Sequence, residues 1–465
     1  MSFASFPYLL FLLTIVCIYF GISKKYSHVF LLFSSYLFYA FFGFGFLALM
    51  VITTVITFTT SYYCFYADKV SIRKLFFYLG LGLDLLIFIL FKYIHIIDID
   101  IMNWPNWSFQ KLLIPIGISF YTFKTIGYCI DVYKRKYPPE SSFVYYALSV
   151  SFFPQLIAGP IEKSVVISSQ LKQKKTFNIQ YVIEGSKLIL WGLFKKIVIA
   201  DGIGQIISPV LSNIHHYNGI DFFIVFIAFA YQVYSDFSGY SDIAIGSAMY
   251  FGIKLPANFN KPFFSKNYRK FWTRWHITFS KWLKEYIFDE LGRSNRLRLI
   301  LNLWILFIIV GLWHGATLNF IIYAQIAFLF LLIDIATKTS RQKIFSFLRI
   351  KNDSLIIRII SYLAMIFFCM LIGIFYGLPS FSNSIYVLKQ MVSSFICNIS
   401  ILHILILISY ILLFEFFQYF QITADGHCFQ RINNFYFRVG MYLVLLFSIL
   451  LFSSKMPVTF QYFQF

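Results

Sequence analysis

LILNLWILFIIVGLWHGATLNFIIYAQIAFLFLLI, residues 299–333, runs for 35 residues without an Asp, Glu, Lys or Arg. As one α-helix it would be ~52 Å long, against a hydrocarbon core of ~30 Å. A single straight span cannot use that length, so the chain is expected to turn or break near Gly315–Asn319. The one group in the run that titrates near neutral pH is His314. An ionisable group at membrane depth is costly and faces the protein interior. Gly311 and Gly315 leave the backbone open on either side of it, and Trp313 supplies a bulky neighbour.

The rest of the chain agrees with a membrane setting. Residues are 59% hydrophobic, 22% aromatic and only 12% charged, where a soluble domain carries roughly a quarter charged residues. Charge is confined to short clusters between apolar runs. The expected class is an all-α polytopic membrane protein, one domain over 1–465. Candidate segments are 3–22, 28–42, 46–66, 75–97, 112–131, 143–160, 180–200, 219–234, 236–253, 299–314, 318–334, 357–377, 400–420 and 435–454. About 11 of them should cross fully, the others being re-entrant or interfacial.

Net charge is +20. The basic residues cluster at the ends of apolar segments, the pattern of cytoplasmic anchoring. No basic face with interleaved aromatics lies outside those segments, which argues against nucleic acid as a partner. Phe3–Phe20 has no basic residue before it and no small-residue cleavage site, and reads as a first span, not a signal peptide. Lys24–Lys25, Lys69 with Arg73–Lys74, and Lys134–Lys136 follow the first, third and fifth segments, whereas Gly43–Gly45 and the loop 98–110 carry no Lys or Arg. The N-terminus is therefore expected outside. The six cysteines, Cys428 among them, form no C-x-x-C pair, so neither a zinc site nor a disulfide framework is indicated.

Two regions depart from the spanning pattern. Both 162–196 and 254–298 are rich in charge, and they should lie at a membrane surface or line a wet cavity. Within the second, FWTRWHITFSKWLKEYI (271–287) puts Phe271, Trp272, Trp275, Phe279, Trp282, Leu283, Tyr286 and Ile287 on one helical face and Lys270, Arg274, Lys281, Lys284 and Glu285 mostly on the other. This reads as a basic, Trp-rich interfacial helix. His276 sits on its apolar edge, either capped by a neighbouring carbonyl or aimed into a cavity. In YSDFSGYSDIAIG (234–246), Asp236 and Asp242 read as helix-start residues, six apart and on different faces. His215–His216 lies in a loop-like, solvated stretch. No nucleophile elbow and no H-E-x-x-H spacing occurs. Burial would keep His314 neutral and able to take a proton from a hydroxyl attacking an acyl carbon. A core histidine satisfied by a hydrogen bond is the competing reading.

The stretches PIGISFYTFKTIGYCIDVY (115–133), FFPQLIAGPI (152–161), GLFKKIVIAD (192–201), YSDFSGYSDIAIG (234–246), LPANFNKPF (255–263), FWTRWHITFSKWLKEYIF (271–288), GLWHGATLNF (311–320) and YFQF (462–465) occur in this order. Together the chain resembles the membrane-bound O-acyltransferases (MBOAT), in their bacterial alginate and peptidoglycan O-acetylation branch. The resemblance implies that His314 is the family's catalytic histidine and His276 its second, histidine-or-asparagine position. It also implies a ring of spanning helices around a thin core, with a central tunnel joining a cytoplasmic donor cavity to an outside funnel. Thr273 stands where an Arg is expected, and Lys284–Glu285 where Arg-Asp is common.

The leading expectation is an enzyme of the bacterial inner membrane. It would move an acyl group, most simply acetyl, from a cytoplasmic thioester (acetyl-CoA or an acyl carrier) towards hydroxyls of a cell-envelope polysaccharide. A periplasmic or extracellular acetyltransferase would be the partner. No metal and no tightly bound cofactor is expected. His314 and His276 are the catalytic candidates. Lys270, Trp272, Arg274, Trp275, Lys281, Asn258, Trp313 and Asp236 are candidates for contacts with donor or substrate, the basic ones alternatively anchoring to lipid phosphates. D-alanyl transfer to teichoic acid from a carrier protein is the alternative within the family. A proton-coupled transporter or flippase, or a scaffold recruiting another transferase, are alternatives outside it.

Overall fold

The computed structural model describes residues 2–93, 115–292, 295–348, 351, 354–420 and 434–452. Cys428, the loop 98–110 and the terminal YFQF lie outside the described residues. Among the described residues the regular structure is helical throughout. In order come α1 (Phe6–Gly21), α2 (Lys24–Ala40), α3 (Phe44–Tyr66), α4 (Val70–Tyr93), α5 (Ile118–Tyr133), α6 (Phe143–Ser151), α7 (Phe153–Leu156), α8 (Ser164–Lys172) and α9 (Ile179–Leu193). A π-helical segment, Phe194–Ala200, leads into α10 (Asp201–Ser212) and α11 (Gly219–Tyr250). Then follow α12 (Tyr268–Trp272), α13 (Ile277–Leu283) with a π-helical continuation Lys284–Phe288, α14 (Arg296–His314), α15 (Leu318–Phe347), α16 (Leu355–Gly377), α17 (Phe381–Ser393), α18 (Ile401–Phe420) and α19 (Phe435–Phe452).

Eight of these, α3, α4, α11, α14, α15, α16, α18 and α19, are long and apolar enough to cross a bilayer, and α1 is a shorter apolar helix. The chain is a multi-pass membrane protein. Helices satisfy their own backbone groups, which a lipid environment demands. α4 and α19 bury only 17% and 11% of their apolar windows, so most of their Leu, Ile and Phe side chains are left for hydrocarbon. The segment expected at 143–160 is broken into α6 and α7, with Pro154 in the first turn of α7.

The chain forms two compact units. One comprises Met1–Ile189 with Tyr240–Ala257, the other Leu190–Gly239 with Asn258–Phe465. In the first, Tyr39, Met50, Tyr121, Tyr128, Val132 and Tyr146, from α2, α3, α5 and α6, form a buried core. In the second, α14 and α15 form a hairpin. Helix α14 ends on His314, and α15 begins at Leu318, so the break falls within the expected window. Gly311 makes the close approach possible, since a Cβ there would stand 2.8 Å from the Phe320 carbonyl oxygen and 3.1 Å from Ala324 Cβ. The Asn319 amide then donates to the Leu378 carbonyl (2.8 Å) and to Ser384 Oγ (3.2 Å), tying the start of α15 to the end of α16 and to α17.

Two expectations need correction. The two segments expected at 219–234 and 236–253 are joined in one 32-residue helix, α11, Gly219–Tyr250. Asp236 and Asp242 therefore lie mid-helix and cap nothing. The polar run continues as helix because Ser235 Oγ donates to the Tyr231 carbonyl inside it, and because Asp236 is paired with Lys196 at 2.9 Å. The second correction concerns 271–287, which is not one continuous amphipathic helix. It breaks over Thr273–His276, where His276 takes a left-handed conformation, φ +41°.

Gly311→Val should lower stability by about 1–3 kcal/mol through overpacking of the hairpin. Gly82→Ala, with nothing within 4 Å of its added Cβ, should be neutral or slightly stabilising. Thermal melting of the purified proteins compares them, and equal melting points would contradict the packing described.

Candidate active site

The break at Thr273–His276 builds the site. The Asn258 carbonyl accepts from the Ile277 backbone N–H at 2.9 Å, and the Arg274 carbonyl accepts from the Asn260 N–H at 2.9 Å. These two bonds strap the loop before α12 to the loop before α13. The Asn258 side chain completes the strap. Its Oδ1 accepts from the Thr278 backbone N–H (3.3 Å) and from Thr278 Oγ1 (2.9 Å), and His276 Nδ1 lies 3.0 Å away. A backbone N–H can only donate, so the Asn258 atom is the carbonyl oxygen. The His276 nitrogen facing it must then carry the proton. His276 is thereby held as the Nδ1–H tautomer, with the basic lone pair on Nε2. Only 3% of the residue is exposed, and burial pushes its imidazole down to about 3, because the charged form loses its hydration. His276 is a neutral imidazole at physiological pH.

His314 arrives from another direction, as the last residue of α14, with 9% of its surface exposed. Its ring is boxed by aromatics. Tyr323 and Tyr376 stand edge-on at 5.2 Å each, and Phe320 stacks at 6.1 Å. Trp313 bridges the two histidines. Its ring lies 4.5 Å from His314, 5.9 Å from His276 and 4.1 Å from Phe279.

Both imidazoles line one cavity of about 310 Å³, in the range of sites that take small organic ligands. Its wall is mainly aromatic and aliphatic, drawn from α11, α12, α13, α14, α15 and α16. Trp272, Trp275 and Trp313, candidates from the sequence for donor or substrate contacts, line it. The other expected residues are placed differently. Lys270 and Lys281 are exposed and do not line the cavity. Arg274 is also off its wall and donates to the Phe264 carbonyl at 3.0 Å. Asn258 holds His276 from behind and is absent from the wall. Asp236 is turned away into a buried ion cluster, where Lys196 Nζ bridges Asp201 (2.8 Å) and Asp236 (2.9 Å).

The cations that do reach the cavity are Arg269 and Lys284. Arg269 Nε pairs at 3.1 Å with Asp334, a fully buried carboxylate that also holds Arg341. Lys284 pairs at 2.7 Å with Asp289. Sequence periodicity put Lys284 on the polar face and left Arg269 unremarked. The π-helical turn at Lys284–Phe288 shifts the register that periodicity assumed. Tyr323 and Tyr376 carried no local signal, since a tyrosine in an apolar run reads as core.

The cavity and both histidines fall within residues 138–378, which match the model of the MBOAT, membrane-bound O-acyltransferase, family. The chain is similar to a probable alginate O-acetylase of Pseudomonas aeruginosa, 34% identical over 324 residues. That match covers 68% of this chain and 62% of the relative. It is similar also to a peptidoglycan O-acetyltransferase of Helicobacter pylori, 33% identical over 392 residues, covering 78% of this chain and 73% of the relative. A teichoic acid D-alanyltransferase of Bacillus subtilis is 30% identical over 233 residues, 47% of this chain and 58% of the relative. The chain thus spans less than two thirds of the first of these relatives and nearly three quarters of the second. A family model that takes in just over half the chain, two site histidines included, makes it a member of the membrane-bound O-acyltransferase family.

Proposed function

We propose that this chain is an O-acyltransferase of the bacterial cytoplasmic membrane. It passes an acetyl group from a cytoplasmic thioester towards hydroxyls of a cell-envelope polysaccharide. The observation that carries this reading is the sharing of one apolar cavity by His276 and His314. The relatives' names, alginate O-acetylase and peptidoglycan O-acetyltransferase, favour acetyl over D-alanyl and an envelope glycan as the eventual acceptor. The basic clusters after α1, α3 and α5 favour an outside N-terminus. A separate extracytoplasmic transferase as partner fits the same reading.

His314 acts as the base. It takes the proton of the attacking hydroxyl as that oxygen bonds to the thioester carbonyl carbon. The C–S bond then breaks, and the proton passes from His314 to the departing thiolate. His276, neutral and presenting Nε2 as an acceptor, orients a donor or acceptor N–H or O–H beside it. The aromatic wall excludes water, which would otherwise hydrolyse the thioester. Arg269 and Lys284 attract the anionic end of the thioester donor at the rim.

Purified protein supplied with radiolabelled acetyl-CoA tests the base. His314→Ala should lower label transfer by roughly 10²–10⁴-fold. Equal transfer by wild type and variant would refute the assignment, and a variant that loses only solute uptake into vesicles would favour a transporter. In the same assay Arg269→Gln and Lys284→Gln should raise the KM for the donor with little change in kcat. Lys270→Gln and Lys281→Gln should match wild type, and the reverse pattern would return the donor contact to those two lysines.

His276 also imposes a pH signature. Its folded-state value is depressed to about 3, so below the unfolded value of about 6.5 the unfolded chain binds a proton that the native chain does not. Stability is lost as pH falls through that window, by about 2 kcal/mol at pH 5 from this group alone. His276→Asn tolerates the left-handed backbone and lacks the proton. Its melting temperature should fall less than that of wild type between neutral pH and pH 5, and parallel falls would contradict a buried neutral imidazole.

A further inference from the structure

The first unit contains a second polar site that acyl transfer does not use. Asp84, in the middle of α4, is fully buried between α3 and α5. Its Oδ2 lies 2.8 Å from Thr57 Oγ1. That same hydroxyl lies 2.9 Å from the Thr53 carbonyl, one turn back in α3. A threonine carries one hydroxyl hydrogen, so it cannot serve both oxygens at once. Asp84 Oδ1 accepts no well-formed hydrogen bond, and no ion pair to Asp84 forms among the described residues. A bare carboxylate in this position would cost several kcal/mol.

The surroundings are rich in oxygen, and among the described residues no cation pairs with Asp84. From α3 comes Thr57; from α5 Tyr121, Thr125 and Cys129; from α6 Tyr146. The hydroxyls of Tyr121 and Tyr146, both fully buried and within electrostatic reach of Asp84, have only loose partners, Tyr39 and Thr57 respectively, and neither makes a hydrogen bond of good geometry. Hydroxyls and a carboxylate, hard oxygen donors with none of their negative charge balanced, match a small monovalent cation and no larger ligand.

We propose that Asp84, with Thr57, Thr125, Tyr121 and Tyr146, is a binding site for one monovalent cation, a proton or a sodium ion. Its occupant neutralises the carboxylate and stabilises the packing of α3, α4 and α5. The site shares no residue with the acyl-transfer cavity, so it stands or falls independently of that chemistry.

Melting curves of the purified full-length protein decide it, with sodium chloride against choline chloride at equal ionic strength, at about pH 6 and about pH 9, since a ligand bound by the native state raises its stability. A sodium occupant raises the wild-type melting temperature by several degrees when sodium replaces choline at fixed pH. A proton occupant raises it when pH is lowered at fixed sodium. Asp84→Asn, which removes the charge at constant shape, should abolish the sodium response and the stabilisation on acidification, leaving the loss towards acid that His276 imposes, and melt no lower than occupied wild type. Thr57→Val, which keeps the carboxyl and removes its hydroxyl neighbour, should weaken it. A wild type indifferent to both sodium and pH, or a response that survives both substitutions, overturns the site.

Discussion

Asn258 Oδ1 takes hydrogen bonds from three donors at once, the His276 ring, the Thr278 amide and the Thr278 hydroxyl. This one acceptor fixes the tautomer of His276, stabilises its left-handed backbone and starts α13. A non-glycine residue in that conformation costs roughly 1–2 kcal/mol and persists only where its surroundings over-determine it. The strap of backbone bonds between 258–260 and 274–277 provides that constraint. Without it, 271–287 has the periodicity of an uninterrupted helix, and His276 would lie on a surface edge instead of inside the cavity.

The cavity divides its labours by chemistry. Aromatic rings supply shape and dryness, and Trp313 packs against both imidazoles. The formal charges near the wall are at the rim, and the buried Asp334 holds Arg269 there. The low-dielectric wall suits a neutral imidazole such as His276, whose ground state carries no charge that the wall would have to solvate.

Behind the wall, charge is paired. Lys196 lies between Asp201 and Asp236, each of the three about 5% exposed or less. Breaking such a set by removing one partner costs about 3–5 kcal/mol. The set anchors α11 to the π-helical turn at Phe194–Ala200, and so positions Phe237, whose ring stands 4.8 Å from His276. Asp236 thus bears on the site through packing.

Much was legible in the chain itself. A 35-residue run without charge that exceeds the bilayer had to break, and Gly311–Gly315 around His314 marked the place. Apolar length fixed the helical, membrane-spanning class, since the hydrocarbon core leaves unpaired backbone no alternative. The ordered motifs pointed to His276 and His314. Tertiary structure decided the rest, because it depended on groups far apart in sequence. Asn258 had to meet Thr278 before the amphipathic period could be interrupted. Lys196 had to meet Asp236 before a run resembling a helix start could continue as helix. Arg269 and Lys284, not the more regularly spaced Lys270 and Lys281, reach the cavity because a turn and a π-helical register shift re-aim them. Periodicity assigns a residue to a face of its own helix; which face lines a cavity is set by the partners that pack against it.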